Sequence, residues 1–397
     1  MSLSDVARGS VAIVGATDLA SPTGKLERPV RQLEIEMIRT ALDDAGLSIS
    51  DVDAIFSCTG MMASMELAEY LRIQPRYTDT TMTGGSSFEV HVEHATAALA
   101  LGLCDVAVIV YAQTPRSSKG GMGGMAGAMA MMGGGDAPML EWDLPYGFGT
   151  PASSYSLAAT RHMAQFGTTS EQLAEIAVST RKWAAFNPNA RYQDPITVDD
   201  VLASPMIAAP LHKLDCCLVT DGAGAIVLTR ADRAKDLKKP PVYVLGTGTS
   251  HTHAMSISQM PDLTVTAGAV SGPKAFAMAG LSPSDVDVVE TYDSFTITVM
   301  LALEDLGFCK KGEGGDFVSG GRLAPGGELP TNTNGGGLSY THPGMYGMFV
   351  LVEATRQLRG EGGEGRQVPD AKVAVAHGCG GVLSSTSTVV LGTEETV

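Results

Sequence analysis

Ala45-Gly-Leu-Ser-Ile-Ser-Asp-Val-Asp53 and Ala279-Gly-Leu-Ser-Pro-Ser-Asp-Val-Asp287 are two near-copies of one nine-residue stretch. Each copy follows a helix pattern and precedes a short apolar run typical of a strand, Ala54-Ile55 or Val288-Val289. The glycine of each copy suits a left-handed residue that ends a helix. Matching contexts favour duplication over a chance likeness of two helix-to-strand turns. The sequence therefore predicts two equivalent halves.

The halves are expected to meet near residue 240, where Lys238-Lys239-Pro240-Pro241 indicates a turn. We predict an N-terminal half of residues 1–240 and a C-terminal half of residues 241–397. A second pair of apolar runs, beginning at Asp105 and Lys372, is interpreted as a pair of equivalent strands.

An inserted loop is predicted at about residues 115–215 of the N-terminal half. Its part from Lys119 to Gly135 is almost entirely Gly, Met and Ala. A linker and an apolar lid are both open interpretations, because methionine side chains adapt to bulky ligands.

Strand and helix patterns alternate along the N-terminal half, which is typical of α/β layers around a buried sheet. Strands are predicted at Ser10–Gly15, Asp53–Cys58 and Asp105–Tyr111, and helices at Val30–Ala45, Ser86–Leu101, Ser153–Phe166 and Ser170–Phe186.

The composition excludes several classes of function. The 397 residues include 27 Lys plus Arg against 43 Asp plus Glu, for a net charge of -16. Non-specific nucleic-acid binding needs a basic face and is not expected. A phosphate-bearing ligand would need a local basic pocket or one supplied by a partner. No run of about 18 apolar residues predicts a membrane span.

The cysteines and the N-terminus favour a cytoplasmic location. The six cysteines form no C-x-x-C pair, and six in a chain of this length do not make a disulfide framework. The first eight residues lack the basic and apolar regions of a secretory signal. We expect a protein of the reduced cytoplasm.

Four segments, in this order, resemble motifs of the thiolase superfamily. They are Thr83-Gly-Gly-Ser-Ser-Phe88, Val289-Glu-Thr-Tyr-Asp-Ser-Phe295, Asn332-Thr-Asn-Gly-Gly-Gly337 with Thr341-His-Pro-Gly-Met-Tyr-Gly347, and His377-Gly-Cys-Gly-Gly381. The resemblance implies an α/β thiolase fold with five layers, α-β-α-β-α, built from two duplicated halves.

The sequence departs from that family at the residues that carry its chemistry. Gly85 stands where thiolases place the nucleophilic cysteine, and Tyr292 stands where they offer a His or Asn. His377 takes the position of the second cysteine, with Cys379 two residues later, while the family's other histidine is kept as His342. Acyl-enzyme chemistry needs an activated nucleophile, so it is not expected.

The second and third segments resemble a thiolase-like subgroup called lipid-transfer proteins, which includes the steroid side-chain-cleaving aldolases. That resemblance implies retro-aldol cleavage of a β-hydroxyacyl-CoA, such as a steroid side-chain thioester, to a ketone and a short acyl-CoA such as propionyl-CoA. It also implies a homodimer core that binds a small accessory subunit, built from an OB-fold and a zinc ribbon, to form a heterotetramer.

The catalytic candidates follow from the chemistry that such a cleavage needs. A base must take the β-hydroxyl proton, donors must hold the enolate, and an acid must protonate the α-carbon. We assign the proton transfers to Tyr292 and Tyr346, the enolate to His342, and a proton-carrier role to His377. The competing interpretations are core aromatics and a turn residue. Tyr340 is expected to pack.

The resemblance further implies that the substrate lies against a second group of residues: Gly85, Asp293, His253, Cys379 and Gly380. His251 and His253 lack a third ligand, so pocket lining is favoured over metal binding. Neither a metal nor a cofactor is expected in this chain; the CoA thioester is the substrate, and zinc belongs to the partner.

The Ser86 helix carries a polar group for which structural or interface roles are favoured over ligation: Glu89, His91, Glu93 and His94. The same region, with the strand near Met82, resembles the part through which thiolases dimerise.

Two other classes of function stay open. A non-catalytic carrier of sterols or acyl-CoA fits the missing nucleophile but needs no acid/base pair. A thiolase-like acyltransferase would need a displaced nucleophile, such as Cys379 or Cys58, with a lowered pKa and access to substrate.

Overall fold

A computed structural model describes residues 8–118 and 137–397, in which nine strands form one sheet. A separate two-stranded hairpin pairs β5 with β6. The strands are β1 Val11–Leu19, β2 Ala54–Phe56, β3 Tyr77–Asp79, β4 Val106–Gln113, β5 Met206–Ala208, β6 Leu211–His212, β7 Gly222–Arg230, β8 Val242–His251, β9 Val288–Thr291, β10 Val373–Gly380 and β11 Ser385–Gly392.

The nine strands lie in the order β3-β2-β4-β7-β1-β8-β11-β10-β9, which has internal symmetry. In the N-terminal part, β7 is antiparallel to both β1 and β4, and β2 runs parallel to β4. In the C-terminal part, β11 is antiparallel to both β8 and β10, and β9 runs parallel to β10. The halves join where β1 pairs with β8. This symmetry confirms the predicted duplication, including the equivalence of the strands after Asp105 and Lys372.

The nine-residue repeat adopts the same local structure twice. The Ser48 N–H donates to the Asp51 carboxylate at 2.9 Å, and the Ser282 N–H donates to the Asp285 carboxylate at 2.8 Å. These side chains satisfy the free N–H groups at the start of a helical turn. Both copies of the repeat therefore adopt the same turn, because the hydrogen bonds that form it join residues within each copy.

The last residue of each copy ties the turn to the neighbouring strand. Asp53 accepts the backbone N–H groups of Asp105 and Val106 at 2.9 and 2.8 Å. Asp287 accepts two backbone N–H groups in the same way, at the start of β10. One carboxylate thus sets the register of each parallel strand pair.

Helices lie outside and between the two halves of the sheet. Helix α1 (Val30–Ala45) packs on β1, β4 and β7, and α8 (Gly268–Ala279) packs on β8 and β11. Between them, α3 (Ser87–Ala100) and α11 (Gly347–Leu358) contact each other and strands of both halves. The order is that of the five-layered α-β-α-β-α fold. The helices are α1 Val30–Ala45, α2 Ala63–Leu71, α3 Ser87–Ala100, α4 Pro151–Phe166, α5 Ser170–Ala184, α6 Val198–Ala203, α7 Ala231–Ala234, α8 Gly268–Ala279, α9 Thr296–Asp305, α10 Gly314–Val318 and α11 Gly347–Leu358.

The predicted elements agree closely with these bounds. The largest difference is at β1, which continues to Leu19 beyond the predicted end at Gly15. The Gly/Met-rich segment from Lys119 to Gly135, interpreted as a linker or lid, lies outside the described residues. Within residues 8–118 and 137–397, no helix is both long and apolar enough to cross a membrane.

Candidate active site

Three loops and the end of one strand meet beside the central helices, and each carries candidate residues. Gly84–Ser86 is a single helical turn just before α3. Tyr292 follows the end of β9, and Tyr346 immediately precedes α11. His377, by contrast, lies within β10 near its end. Since the ends of parallel strands and helix starts collect at one edge of an α/β sheet, the candidates are brought together there.

The ring of Tyr292 fills the space beside Gly85. A Cβ atom at Gly85 would lie 2.1 Å from Cε2 of Tyr292 and 2.3 Å from the Cys379 carbonyl oxygen. Both distances are far below van der Waals contact. No side chain fits at position 85 unless the Tyr292 ring and the backbone at Cys379 move.

Tyr292 and His342 form a buried hydrogen-bonded pair. The Tyr292 hydroxyl lies 2.8 Å from Nε2 of His342 and 3.4 Å from the Gly344 carbonyl oxygen. Burial raises the pKa of Tyr292 well above its ordinary value and lowers the pKa of His342 to about 4. Both side chains are therefore neutral at physiological pH.

His342 is fixed through its backbone and its ring. Its N–H donates to Oγ1 of Thr220 at 2.7 Å. Its ring stacks on Tyr346, with centroids 6.3 Å apart and planes 18° apart, and meets the edge of Tyr292 at 84°. The imidazole is thus held against both phenols.

Tyr346 has a different partner. It is fully buried, and its hydroxyl donates to Oδ1 of Asn334 at 2.7 Å. The same oxygen accepts the Gly336 N–H at 2.8 Å. Burial, followed by the nearby acidic groups, raises the pKa of Tyr346 well above its ordinary value. An amide oxygen does not take up a proton near neutral pH, so Tyr346 keeps its own.

His377 and Cys379 point into the interior from β10. Nδ1 of His377 lies 2.9 Å from Oγ1 of Thr388, and burial lowers the pKa of His377 to about 4. Burial raises the pKa of the Cys379 thiol to about 12, although the Tyr155 side chain hydrogen-bonds it and opposes the shift. A buried, protonated thiol is a poor nucleophile.

Cys58, the other displaced candidate, has the same character. It is buried, and burial raises its pKa to about 12. Neither cysteine has the lowered pKa that an acyltransferase nucleophile needs. All six cysteines of the chain are free of disulfides.

The expected substrate-lining residues are in part occupied by protein contacts. The Asp293 carboxylate accepts the Gly337 and Leu338 N–H groups at 2.6 and 3.1 Å, and burial raises its pKa to about 7. Nε2 of His253 lies 3.0 Å from the Val382 carbonyl oxygen. These side chains shape the loops around the site.

Gly380 permits a close approach between two loops. A Cβ atom there would lie 1.8 Å from the Thr83 carbonyl oxygen. Thus the end of β10 packs directly against the turn that carries Gly85.

Two members of the polar group on α3 lie in the protein interior. Glu89 and His91 are fully buried, because this helix lies between the two halves of the sheet. Neither carboxylate oxygen of Glu89 has a hydrogen-bond partner, and burial raises its pKa to about 8. His94 remains partly exposed, at 2.5 Å from Asp79.

An open cavity of about 260 Å³ lies between residues 142–148, residues 257–263 and helix α4. Hydrophobic side chains predominate in a lining made by Trp142, Asp143, Tyr146, Phe148, Leu157, Ile257, Ser258, Met260 and Leu263.

Within the described residues, no group of three His, Cys, Asp or Glu side chains is arranged to hold a metal ion. His251 and His253 have separate partners. Nδ1 of His251 lies 2.9 Å from Oγ of Ser385, whereas His253 faces Val382.

The structure adds residues that the sequence reasoning missed. Asn334 lies within the third family-like segment, but nothing in the sequence indicates that it accepts a hydrogen bond from Tyr346. Thr220 and Tyr155 carry no sequence signal, because their partners lie more than 100 residues away. Tyr340 packs as expected, with its hydroxyl donating to Asp18 at 2.8 Å.

Comparison with known sequences gives consistent likenesses. Residues 248–393 match the family model for thiolase C-terminal domain-like sequences. A steroid side-chain-cleaving aldolase of Thermomonospora curvata is 37% identical over 358 residues, which span 88% of this chain and 90% of that protein. A 17-hydroxy-3-oxo-4-pregnene-20-carboxyl-CoA lyase of Mycobacterium tuberculosis is 38% identical over 362 residues, spanning 89% and 92%.

Solved structures show the same fold. The structure of an Ltp2-ChsH2(DUF35) aldolase superposes with a TM-score of 0.89 at 33% identity, covering 99% of this chain and 100% of that one. Human mitochondrial 3-ketoacyl-CoA thiolase superposes with a TM-score of 0.68 at 18% identity, covering 98% and 100%. The second likeness is one of fold alone.

Proposed function

This chain belongs to the thiolase superfamily, and on that premise we propose that it is a carbon–carbon lyase that cleaves a β-hydroxyacyl-CoA by a retro-aldol reaction. The products are a ketone and a shorter acyl-CoA. One observation carries the proposal: the Tyr292 ring occupies the space in which a nucleophile at position 85 would stand. The remaining polar groups suit acid/base chemistry.

The base of the reaction is the Tyr292–His342 pair. The Tyr292 oxygen takes the β-hydroxyl proton as its own proton passes to Nε2 of His342, 2.8 Å away. This transfer requires the His342 tautomer with its hydrogen on Nδ1. The imidazolium forms only as negative charge appears on the substrate, so the two charges stabilise each other.

The bond between the α- and β-carbons then breaks. Its electron pair moves onto the thioester as an enolate, and the β-carbon becomes the ketone. We assign the proton that the α-carbon receives to Tyr346, which keeps its hydrogen until that step because its partner is the amide oxygen of Asn334. The extra proton on His342 then returns to the Tyr346 oxygen, so that both side chains end the cycle neutral. His377 is the second proton carrier of the site.

The substrate proposed is a steroid side-chain CoA thioester with a hydroxyl on its β-carbon. Two relatives are named for such an activity. With a propanoyl side chain, the products are a steroid ketone and propionyl-CoA. The cavity beside Trp142 and Met260 suits the apolar ring system.

The proposed assembly is a homodimer that binds two copies of an accessory subunit. A DUF35 protein is named with the aldolase of similar structure. The net charge of -16 supports a partner that contributes charge for the CoA phosphates. The edge strand β3 and the exposed Met61, Met65 and Met82 side chains support dimerisation through this region.

The test is turnover by the chain together with a DUF35 protein carrying an OB-fold and a zinc ribbon. Given 17-hydroxy-3-oxo-4-pregnene-20-carboxyl-CoA, the complex is expected to release propionyl-CoA and the 17-ketone, measured by liquid chromatography and mass spectrometry. A carrier would bind the thioester and return it unchanged, which would refute the proposal. Full activity of the isolated chain would refute the need for a partner.

A further inference from the structure

The turn from His342 to Tyr346 carries two of the residues to which the proposed function assigns a role. Its central residue, Gly344, has a left-handed φ of 96°, and its carbonyl oxygen faces the Tyr292 hydroxyl. A shift of this turn would move His342, Gly344 and Tyr346 together. What holds the turn therefore sets the geometry of the site.

Tyr111 lies directly beneath this turn. It belongs to β4, it is fully buried, and its ring packs on Phe88 at a centroid distance of 4.9 Å. Its hydroxyl donates to the Pro343 carbonyl oxygen at 2.6 Å and accepts the Met345 N–H at 3.1 Å. One oxygen thus joins the residues on either side of Gly344.

We propose that Tyr111 is a positioning residue, whose hydroxyl holds the turn that presents His342 and Tyr346 to the substrate. The inference rests on the proposed function, because that function gives the turn its role. From the sequence alone, Tyr111 is only the last residue of a predicted strand. A hydroxyl can donate and accept at once, so the Tyr111 oxygen satisfies both the Pro343 carbonyl and the Met345 N–H, which are backbone groups of a tight turn.

The reaction rate is expected to depend strongly on the position of this turn. Displacing a catalytic group by about 1 Å can cost on the order of 100-fold in rate. In Tyr111→Phe, the Pro343 carbonyl and the Met345 N–H lose their partner, and the turn is free to shift toward another one. Substrate contacts elsewhere stay in place, so the rate is expected to fall much more than the affinity.

The experiment compares Tyr111→Phe with Tyr243→Phe. Tyr243 is also a buried strand tyrosine, but its hydroxyl has no hydrogen-bond partner. We expect kcat to fall about 10- to 100-fold in Tyr111→Phe, with KM changed less than about threefold, and both constants to remain near wild type in Tyr243→Phe. Placing p-aminophenylalanine at position 111 keeps a donor and an acceptor, and is expected to restore the rate.

A second readout does not depend on activity. The chain has 8 histidines, so carbon-13 labelling of histidine gives a spectrum in which His342 can be assigned by substitution. The His342 resonance is expected to move in Tyr111→Phe and to stay in Tyr243→Phe. An unmoved resonance, or an unchanged kcat, would overturn the inference. A wild-type enzyme that cleaves no β-hydroxyacyl-CoA would overturn the proposed function while this spectrum still tests the role of Tyr111.

Discussion

Replacing Tyr292 by Phe separates chemistry from stability at the proposed base. The change removes one oxygen and keeps the ring that packs beside Gly85 and meets Tyr346 edge-on at 6.0 Å. What is lost is the 2.8 Å hydrogen bond to His342 and the weaker contact with Gly344. The folded protein should therefore be nearly intact and the reaction severely slowed.

The two effects differ in size. General acid/base catalysis is typically worth about 10²- to 10⁴-fold, which corresponds to about 2.7–5.4 kcal/mol of activation free energy. The loss of one buried hydrogen-bond partner costs about 1–3 kcal/mol of unfolding free energy. We expect kcat to fall by two to four powers of ten, with a smaller change in KM.

Steady-state kinetics with the accessory subunit and urea unfolding measure the two quantities. Tyr340→Phe is the matched control, because that buried tyrosine also loses a hydrogen bond, to Asp18, but lies outside the proposed base. It should show a comparable loss of stability with a rate near wild type. A Tyr292→Phe enzyme within threefold of wild-type kcat would refute the assignment.

Further predictions concern the second phenol, the missing nucleophile, the thiols and the buried acid. Tyr346→Phe should lower kcat by about 10²-fold or more, because the proposed acid is lost. Gly85→Ala should lower the unfolding free energy by about 1–3 kcal/mol and also the rate, since its Cβ displaces the Tyr292 ring. Cys379→Ala and Cys58→Ala should keep most activity, because neither thiol reacts. Glu89→Gln should flatten the pH dependence of stability, because burial raises the folded-state pKa of Glu89 from 4.5 to about 8. The stability that protonated Glu89 contributes is fully present below pH 4.5 and is lost as pH rises through 8. The unfolding free energy falls over this range by at most about 1.4 kcal/mol per pH unit.

Two of these predictions have a matched control, and each has a result that would contradict it. Glu34→Gln removes another buried acid with a raised pKa and should leave the Glu89 effect in place. Gly149→Ala should be tolerated, because its Cβ meets only the end of the Leu144 side chain. Parallel pH curves for Glu89→Gln and wild type, a fully active Gly85→Ala enzyme, or a folded but inactive Cys379→Ala enzyme would each contradict the account. Tyr346→Phe with wild-type kcat would remove that residue from the mechanism.

The duplicated fold could be predicted because its signals are local. In each repeat the hydrogen bonds join residues three apart, and one aspartate fixes the next strand. Such contacts depend on a few neighbouring residues, so two nearly identical stretches of sequence adopt the same structure. The family likeness of the four segments then gave the layers and the identity of the family.

The site could be predicted only in part. The family resemblance assigned Tyr292 and His342 to one reaction, and they do hydrogen-bond. It could not show that the Tyr292 ring fills the space at Gly85, since that depends on packing between two distant loops. Nor could it show that Glu89 is buried, because a helix in the central layer has no solvent face that periodicity would reveal.

The central claim is a carbon–carbon cleavage without an acyl-enzyme, and the products of a reaction in heavy water test it most directly. The complex is mixed with the steroid thioester in D₂O and no added CoA, and both the small molecules and the intact chain are weighed by mass spectrometry. We expect the ketone, propionyl-CoA with one deuterium on its α-carbon, and a chain that carries no added acyl group. An acyl group left on the chain, or cleavage that begins only when free CoA is added, would contradict the account.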